Sequence, residues 1–172
     1  DHDGPDGKPI SIFESGAILQ YLARKSGKFG GETPRQQAEI EQWLMWQMGG
    51  LGPMAGQTHH FLQYAPKDVP YAKKRYSDEV HRLYGVLNKQ LETRDYVAGE
   101  FSIADMAIYP WARLWERQGQ DIDEFSTMKD YLDRVAERPA VQRGMAVGKD
   151  SPKVDIATDR EAQSVLFGQH AR

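Results

Sequence analysis

Pro70-Tyr71-Ala72-Lys73-Lys74-Arg75-Tyr76-Ser77-Asp78-Glu79-Val80-His81-Arg82-Leu83-Tyr84-Gly85-Val86-Leu87-Asn88-Lys89-Gln90-Leu91 is the stretch that decides the fold. Its apolar residues Tyr76, Val80, Leu83, Leu87 and Leu91 follow one another in steps of four, three, four and four. That spacing lays them along one face of an α-helix. Lys73, Lys74, Asp78, Arg82 and Lys89 fall on the opposite face. Pro70 suits the first helical turn, where its missing N–H is not needed. Such an amphipathic helix must bury its stripe against other elements, and its neighbours in the chain also read as helices.

Downstream, Ser102 is an N-cap and Asp105 takes the N3 place of a capping-box-like pair. Ile103, Ala107, Trp111 and Leu114 form the buried stripe of the helix that follows, despite Pro110. A further helix is expected from about Ser126 to Arg138, with Met128, Leu132 and Val135 inward and Pro139 ending it. A short helix should run from Pro139 to Val147, and Ser151 to Ile156 reads as a linker. Thr158-Asp159-Arg160-Glu161 is a capping box for a terminal helix carrying Ala162, Val165, Leu166 and Phe167. Upstream, Thr33-Pro34 opens a helix with Ile40, Trp43, Leu44, Trp46 and Met48. Gly49-Gly50-Leu51-Gly52-Pro53 is expected to interrupt or kink it, with helix resuming from Met54 to Phe61.

The first thirty residues have another texture. Pro9-Ile10-Ser11-Ile12-Phe13 alternates apolar and polar residues and reads as a strand. Glu14-Ser15-Gly16 then opens a helix carrying Ile18, Leu19 and Leu22, with Arg24-Lys25 in its last turn and Gly27 as its stop. One strand and one helix cannot make a domain, because a strand's backbone groups need partners. Asp1 to Lys8 reads as a turn and the first residue is not Met, so the expectation is a fragment whose N-terminal portion is absent. The expected fold is mostly α: residues 1–30 as the end of an α/β domain, 33–149 as an all-helical domain and 150–172 as a tail with a short helix.

Composition bounds the function. The chain has 172 residues, with 22 Lys+Arg against 25 Asp+Glu, a net charge of −3. That balance gives no footprint for nucleic acid or an anionic membrane surface. Mean hydropathy is −0.68, and no apolar run approaches the ~20 residues of a spanning helix. No basic-plus-apolar leader is visible, and the expected location is the cytoplasm. There is no Cys, which removes disulfides, thiolate metal sites and any protein-thiol nucleophile.

Phe13-Glu14-Ser15-Gly16-Ala17-Ile18 resembles the glutathione-binding turn of the thioredoxin-like domain in cytosolic glutathione transferases. Ser102-Ile103-Ala104-Asp105 and the later Arg138-Pro139-Ala140 resemble the C-terminal helical domain of that superfamily. The segment from Trp46 to Phe61, Trp-Gln-Met-Gly-Gly-Leu-Gly-Pro-Met-Ala-Gly-Gln-Thr-His-His-Phe, is more specific. It is similar to the Nu class, the bacterial glutathione-dependent disulfide-bond oxidoreductases. The match covers Asp1 to about Lys149. The family begins with strand, helix, strand, helix, then a strand preceded by a cis-proline, and Asp1-His2-Asp3 resembles the tail of that third strand. The Thr/Asn residues that contact the glutathione sulfur in this class have no counterpart here. The resemblance therefore implies a glutathione-dependent disulfide reductase that forms a homodimer and uses no metal. It places the catalytic groups in a preceding segment and leaves this fragment itself inactive.

Four residues carry the expected site. A helix N-terminus suits the γ-glutamyl carboxylate of glutathione, Ser15 adds a hydroxyl donor, and Glu14 offers a counter-charge to the ammonium. The alternative is a Glu-Ser pair that merely caps a helix. The resemblance maps Gln42 to a glutamine that helps bind glutathione on a helix lining the dimer interface; otherwise it is a solvent-facing amide. It maps Arg75 to an arginine at the same site, where a guanidinium would bind the glycyl carboxylate bidentately; otherwise Arg75 belongs to a basic helix surface with Lys73 and Lys74. His59-His60 lack metal-ligand spacing and read as pocket lining or packing. The Trp43, Trp46, Trp111 and Trp115 set reads as core or interface, and Ser102 with Asp105 as a structural cap. The remaining function classes are a conventional transferase that conjugates electrophiles and a non-catalytic transferase-like binding module.

Overall fold

In a computed structural model, described over residues 1–152, 154–156 and 158–168, the chain folds into eight α-helices linked by π and 3₁₀ turns and loops. The last residues of the expected tail, with two positions around the linker, lie outside that range. The helices are α1 (Ser15–Ser26), α2 (Pro34–Trp46), α3 (Gly52–His59), α4 (Pro70–Gln90), α5 (Ile103–Ala112), α6 (Ser126–Ala136), α7 (Pro139–Ala146) and α8 (Arg160–Phe167). None of them is long and apolar enough to cross a membrane.

The expected caps form. The Thr33 hydroxyl accepts from the Gln36 N–H at 3.3 Å and the Gln36 side chain accepts from the Thr33 N–H at 3.0 Å, so α2 opens on a full capping box. Gln36 is the half of that box missed in the sequence. Ser102 and Asp105 close the same kind of box on α5. On α8 the cap is Asp159, whose carboxylate accepts from the N–H groups of Glu161 and Ala162, instead of Thr158. Val165, Leu166 and Phe167 remain about half exposed, with Phe167 packing its ring on His60 and Tyr64.

The glycine-rich stretch does not break the helix. From α2 to α3 the backbone stays right-handed and helical through Gln47–Leu51, where it widens into a π turn: the Gly52 N–H bonds to the Gln47 carbonyl five residues back. Pro53 supplies the reason. It has no N–H for the Gly49 carbonyl, and its ring would crowd that carbonyl in an α turn. A second π turn, His60–Tyr64, ends the rod, with the Ala65 N–H on the His60 carbonyl at 2.7 Å.

The core lies where this long rod meets α4, α5 and α6. Leu44, Leu51 and Ala55 face Val80, Leu83, Tyr84 and Leu87, with Ala104, Ile108, Ala112, Met128, Tyr131 and Val135 closing the cluster. The Tyr84 hydroxyl, fully buried, donates to Gln118 Oε1 at 2.6 Å. Val80, Leu83, Leu87 and Leu91 are all buried, as the periodicity requires.

The expected strand is absent. Pro9–Phe13 belongs to no strand among the described residues. Asp1 and Ile10 instead exchange backbone hydrogen bonds, each at 2.9 Å, which folds residues 1–10 on themselves. Period-two alternation gave the pattern of a strand, but no neighbouring strand meets its backbone groups. The folded-back segment is tied to α1 by Asp1, whose carboxylate accepts from Tyr21 Oη and pairs with Lys25 Nζ, both at 2.7 Å. α1 in turn is held to the bundle by Phe29, whose carbonyl accepts from the Ile103 N–H at the head of α5.

Candidate functional site

The N-terminus of α1 has the features of a seat for an anion. No side chain caps it. The first hydrogen bond of the helix runs from the Ile18 N–H to the Glu14 carbonyl, so the N–H groups of Ser15, Gly16 and Ala17 have no partner in the helix. Glu14 and Ser15 are both exposed there. Glu14 also has φ 68° and ψ 116°, a conformation that costs a non-glycine residue roughly 1–3 kcal/mol and that tends to occur at functional sites. A Glu that only capped a helix would adopt ordinary extended angles and direct its carboxylate to the first turn. Here the turn holds free N–H donors, a hydroxyl and a carboxylate side by side, the complement of an amino-acid head group.

The floor of the turn is Met48, in the π turn after α2. Ser15 Oγ lies 3.8 Å from Met48 Sδ. A Cβ on Gly16 would stand 3.1 Å from both Cγ and Sδ of Met48, so glycine is what lets α1 sit down on the thioether.

Gln42 and Arg75 stand apart from this turn. Gln42 is on the exposed face of α2, its amide donating to the Ala38 carbonyl at 3.2 Å. It borders an open groove of about 980 Å³ with Arg35, Trp43, Trp46 and Arg94. Trp43 and Trp46 meet there edge to face, 5.1 Å between ring centres. Arg75 is on the outer face of α4, 3.7 Å from Glu79, whose carboxylate also takes both hydrogen bonds of Arg82. Those hydrogen bonds from Arg82, with the charges of Arg82 and Arg75, hold the Glu79 carboxyl below its usual range.

Two polar groups were not singled out in the sequence or were left unassigned there. Gln47 is 2% exposed and its Oε1 has no partner; its amide nitrogen packs against Gly52. His59 Nε2 is likewise buried without a partner, and its ring leans on Trp111 with centres 6.1 Å apart. Burial, then the charge of Arg117, pushes the His59 pKa down, so the ring is held neutral. His60 instead packs on Phe61 and Phe167. Among the described residues no group of three acidic or histidine side chains is placed to hold a metal ion.

At the head of α5, the fully buried Asp105 carboxylate accepts from the N–H groups of Val97 at 3.1 Å and Ser102 at 2.9 Å, and from Ser102 Oγ at 3.1 Å. Tyr131 stands close enough to feel this charge but its hydroxyl makes no hydrogen bond of good geometry. Desolvation raises the Asp105 pKa, opposed by those donors.

The profile of the family described as "Glutathione S-transferase, C-terminal domain" matches residues 53–139. The chain is 49% identical over 147 residues to the disulfide-bond oxidoreductase YfcG of Escherichia coli strain K12, covering 84% of this chain and 68% of that protein. Its fold is similar to the crystal structure of a glutathione transferase from Pseudomonas putida with one glutathione disulfide bound per subunit. There the TM-score is 0.81 at 45% identity, over 86% of this chain and 67% of that one. It is also similar to a glutathione transferase from Burkholderia graminis with two glutathione molecules bound per subunit, with TM-score 0.81 and 41% identity over 87% of this chain and 66% of that one. The chain thus spans about two thirds of the length of these relatives.

Proposed function

The chain belongs to the glutathione S-transferase family, and from that premise we propose that it serves a glutathione-dependent disulfide-bond reductase of the Nu class. One observation carries the reading: these residues, which include no Cys, are 49% identical over 147 positions to a protein named a disulfide-bond oxidoreductase. This stretch supplies no thiol of its own, so in this reading both electrons come from bound thiols. The neighbours solved with a glutathione disulfide or with two glutathione molecules per subunit support that stoichiometry.

In this reading one glutathione thiolate attacks a sulfur of the substrate disulfide, giving a mixed disulfide and releasing one substrate thiolate. A second glutathione thiolate attacks the glutathione sulfur of the mixed disulfide and releases the other. The sum is two glutathiones and one disulfide converted to glutathione disulfide and two thiols. The residues of this chain bind and orient. The free N–H groups of α1 and the Ser15 hydroxyl take the γ-glutamyl carboxylate, and Glu14 takes the ammonium. The family resemblance alone assigns Gln42 and Arg75 as further glutathione contacts, since each makes its own contacts away from that turn. Gln42 lies on the α2 face, where Trp43 and Trp46 form the apolar part of a homodimer surface. Residues 1–30 then belong to the glutathione-binding domain and 33–149 to the helical one.

Calorimetric titration of the intact protein with glutathione tests the assignment. Ser15→Ala removes a charge-assisted hydrogen bond of about 1.5–3 kcal/mol, which is roughly a tenfold to hundredfold loss of affinity. Glu14→Gln also weakens binding while keeping the shape. A double change that leaves affinity untouched would refute the seat. A glutathione-coupled disulfide reductase assay with no rate above the protein-free control would refute the activity.

A further inference from the structure

The Ser15 hydroxyl is not idle in the unliganded turn, and what it touches is unusual. Its Oγ stands 3.8 Å from Met48 Sδ. Two independent features bring that sulfur there. The π turn at Gln47–Leu51 widens the helix at Met48, and widened turns of this kind occur most often at functional sites. The missing side chain at Gly16 lets the thioether lie directly under the first turn of α1. We propose that Met48 is a positioning residue for the glutathione seat, its thioether holding the Ser15 hydroxyl in its binding rotamer until a carboxylate arrives. The proposal rests on the reading of Glu14 and Ser15 as that seat.

The chemistry favours sulfur for this task. A side-chain hydroxyl with no acceptor samples its three staggered wells, so part of the binding free energy goes into fixing it. A thioether is a weak acceptor. It fixes the rotamer of the free protein yet yields the proton easily to an ionised carboxylate, whose hydrogen bond is roughly twice as strong as a neutral one. An oxygen acceptor at the same place would hold the hydroxyl against the ligand. Leucine would keep the volume under Gly16 and leave the hydroxyl unheld.

A double-mutant cycle read by glutathione titration tests this. Met48→Leu and Met48→Gln are each measured with Ser15 present and with Ser15→Ala, and the melting temperature of each variant is recorded alongside. Met48→Leu is expected to weaken glutathione binding about two- to threefold, up to the statistical factor for three rotamers, and Met48→Gln by more, roughly three- to tenfold. Both effects should vanish in the Ser15→Ala background, because Met48 acts through that hydroxyl. Losses that persist without Ser15 would mean that Met48 acts by packing alone and would overturn the proposal. So would a Met48→Leu variant that binds as tightly as, or more tightly than, the parent. If Ser15→Ala alone leaves affinity unchanged, the seat itself is wrong and the role of Met48 fails with it. If Ser15→Ala weakens binding but the Met48 variants do not, only the present inference fails.

Discussion

Removing the Asp105 carboxylate should strongly destabilise the protein. Its two oxygens serve three donors at once: the Val97 N–H, the Ser102 N–H and the Ser102 hydroxyl. Val97 and Ser102 are themselves buried, at 0% and 1% exposure, so bulk solvent does not reach the stranded donors. Each buried N–H left without a partner costs about 1–3 kcal/mol, and the N-cap of α5 is worth about 1 kcal/mol more. Because the Ser102 bonds overlap with the cap, Asp105→Ala should cost roughly 3–5 kcal/mol, set against about 5–15 kcal/mol for a whole domain. Asp105→Asn keeps one acceptor oxygen but turns an NH₂ toward the other donors, and should cost about half as much. Ser102→Ala, which takes the acceptor from the Ala104 N–H, should cost about 1 kcal/mol. Urea unfolding followed by circular dichroism reads the series. At a slope of about 1–3 kcal/mol per M, the Asp105→Ala midpoint drops by one to several molar. A loss below about 1 kcal/mol, or an Asn variant less stable than the Ala variant, would refute the argument that stranded donors set the cost.

Acid should destabilise the fold through His59. Its pKa is depressed in the folded chain by burial and by Arg117, so the unfolded chain binds the proton more readily. Its contribution is full above the unfolded value of about 6.5 and is lost as pH falls through the folded value. Thermal melts between pH 7.5 and pH 5 should therefore show a decline in stability that His59→Gln flattens; parallel declines in both proteins would count against it. Tyr84→Phe removes the buried donor to Gln118 Oε1 and should cost about 1–3 kcal/mol by denaturant midpoint, with glutathione affinity unchanged. Equal stability of the Phe variant would show that Gln118 finds another donor.

Much of the helical architecture was legible because it is written in local chemistry. The stripe from Val80 to Leu91, the N-cap at Thr33, the box at Ser102 and the stop at Gly27 each depend on residues within one or two turns of one another. What was misread depends on partners far away or on subtle winding. Ile10 and Ile12 alternate as a strand does, but a strand is defined by what lies beside it. Gly49 to Pro53 has the residues of a break, yet the chain only widens there. In the candidate site, Glu14 and Ser15 were visible as a charged and a hydroxyl residue at a strand-to-helix pattern. The φ of Glu14 and the sulfur beneath Ser15 were not visible, because both arise from how α1 lands on the α2–α3 rod. The orphaned oxygen of Gln47 was hidden because burial is set by packing between elements.

The wide turns of that rod also have an evolutionary reading. A π turn amounts to an α-helix that has gained one residue and kept both flanks winding in the same direction. Gly49 stands at the first such turn with open space where a side chain would project. A one-residue gap falling there between this chain and a relative therefore records a change of pitch inside a continuous helix. It does not record a lost loop or a broken element, and an alignment forced through without that gap would shift every inward face after it by one position.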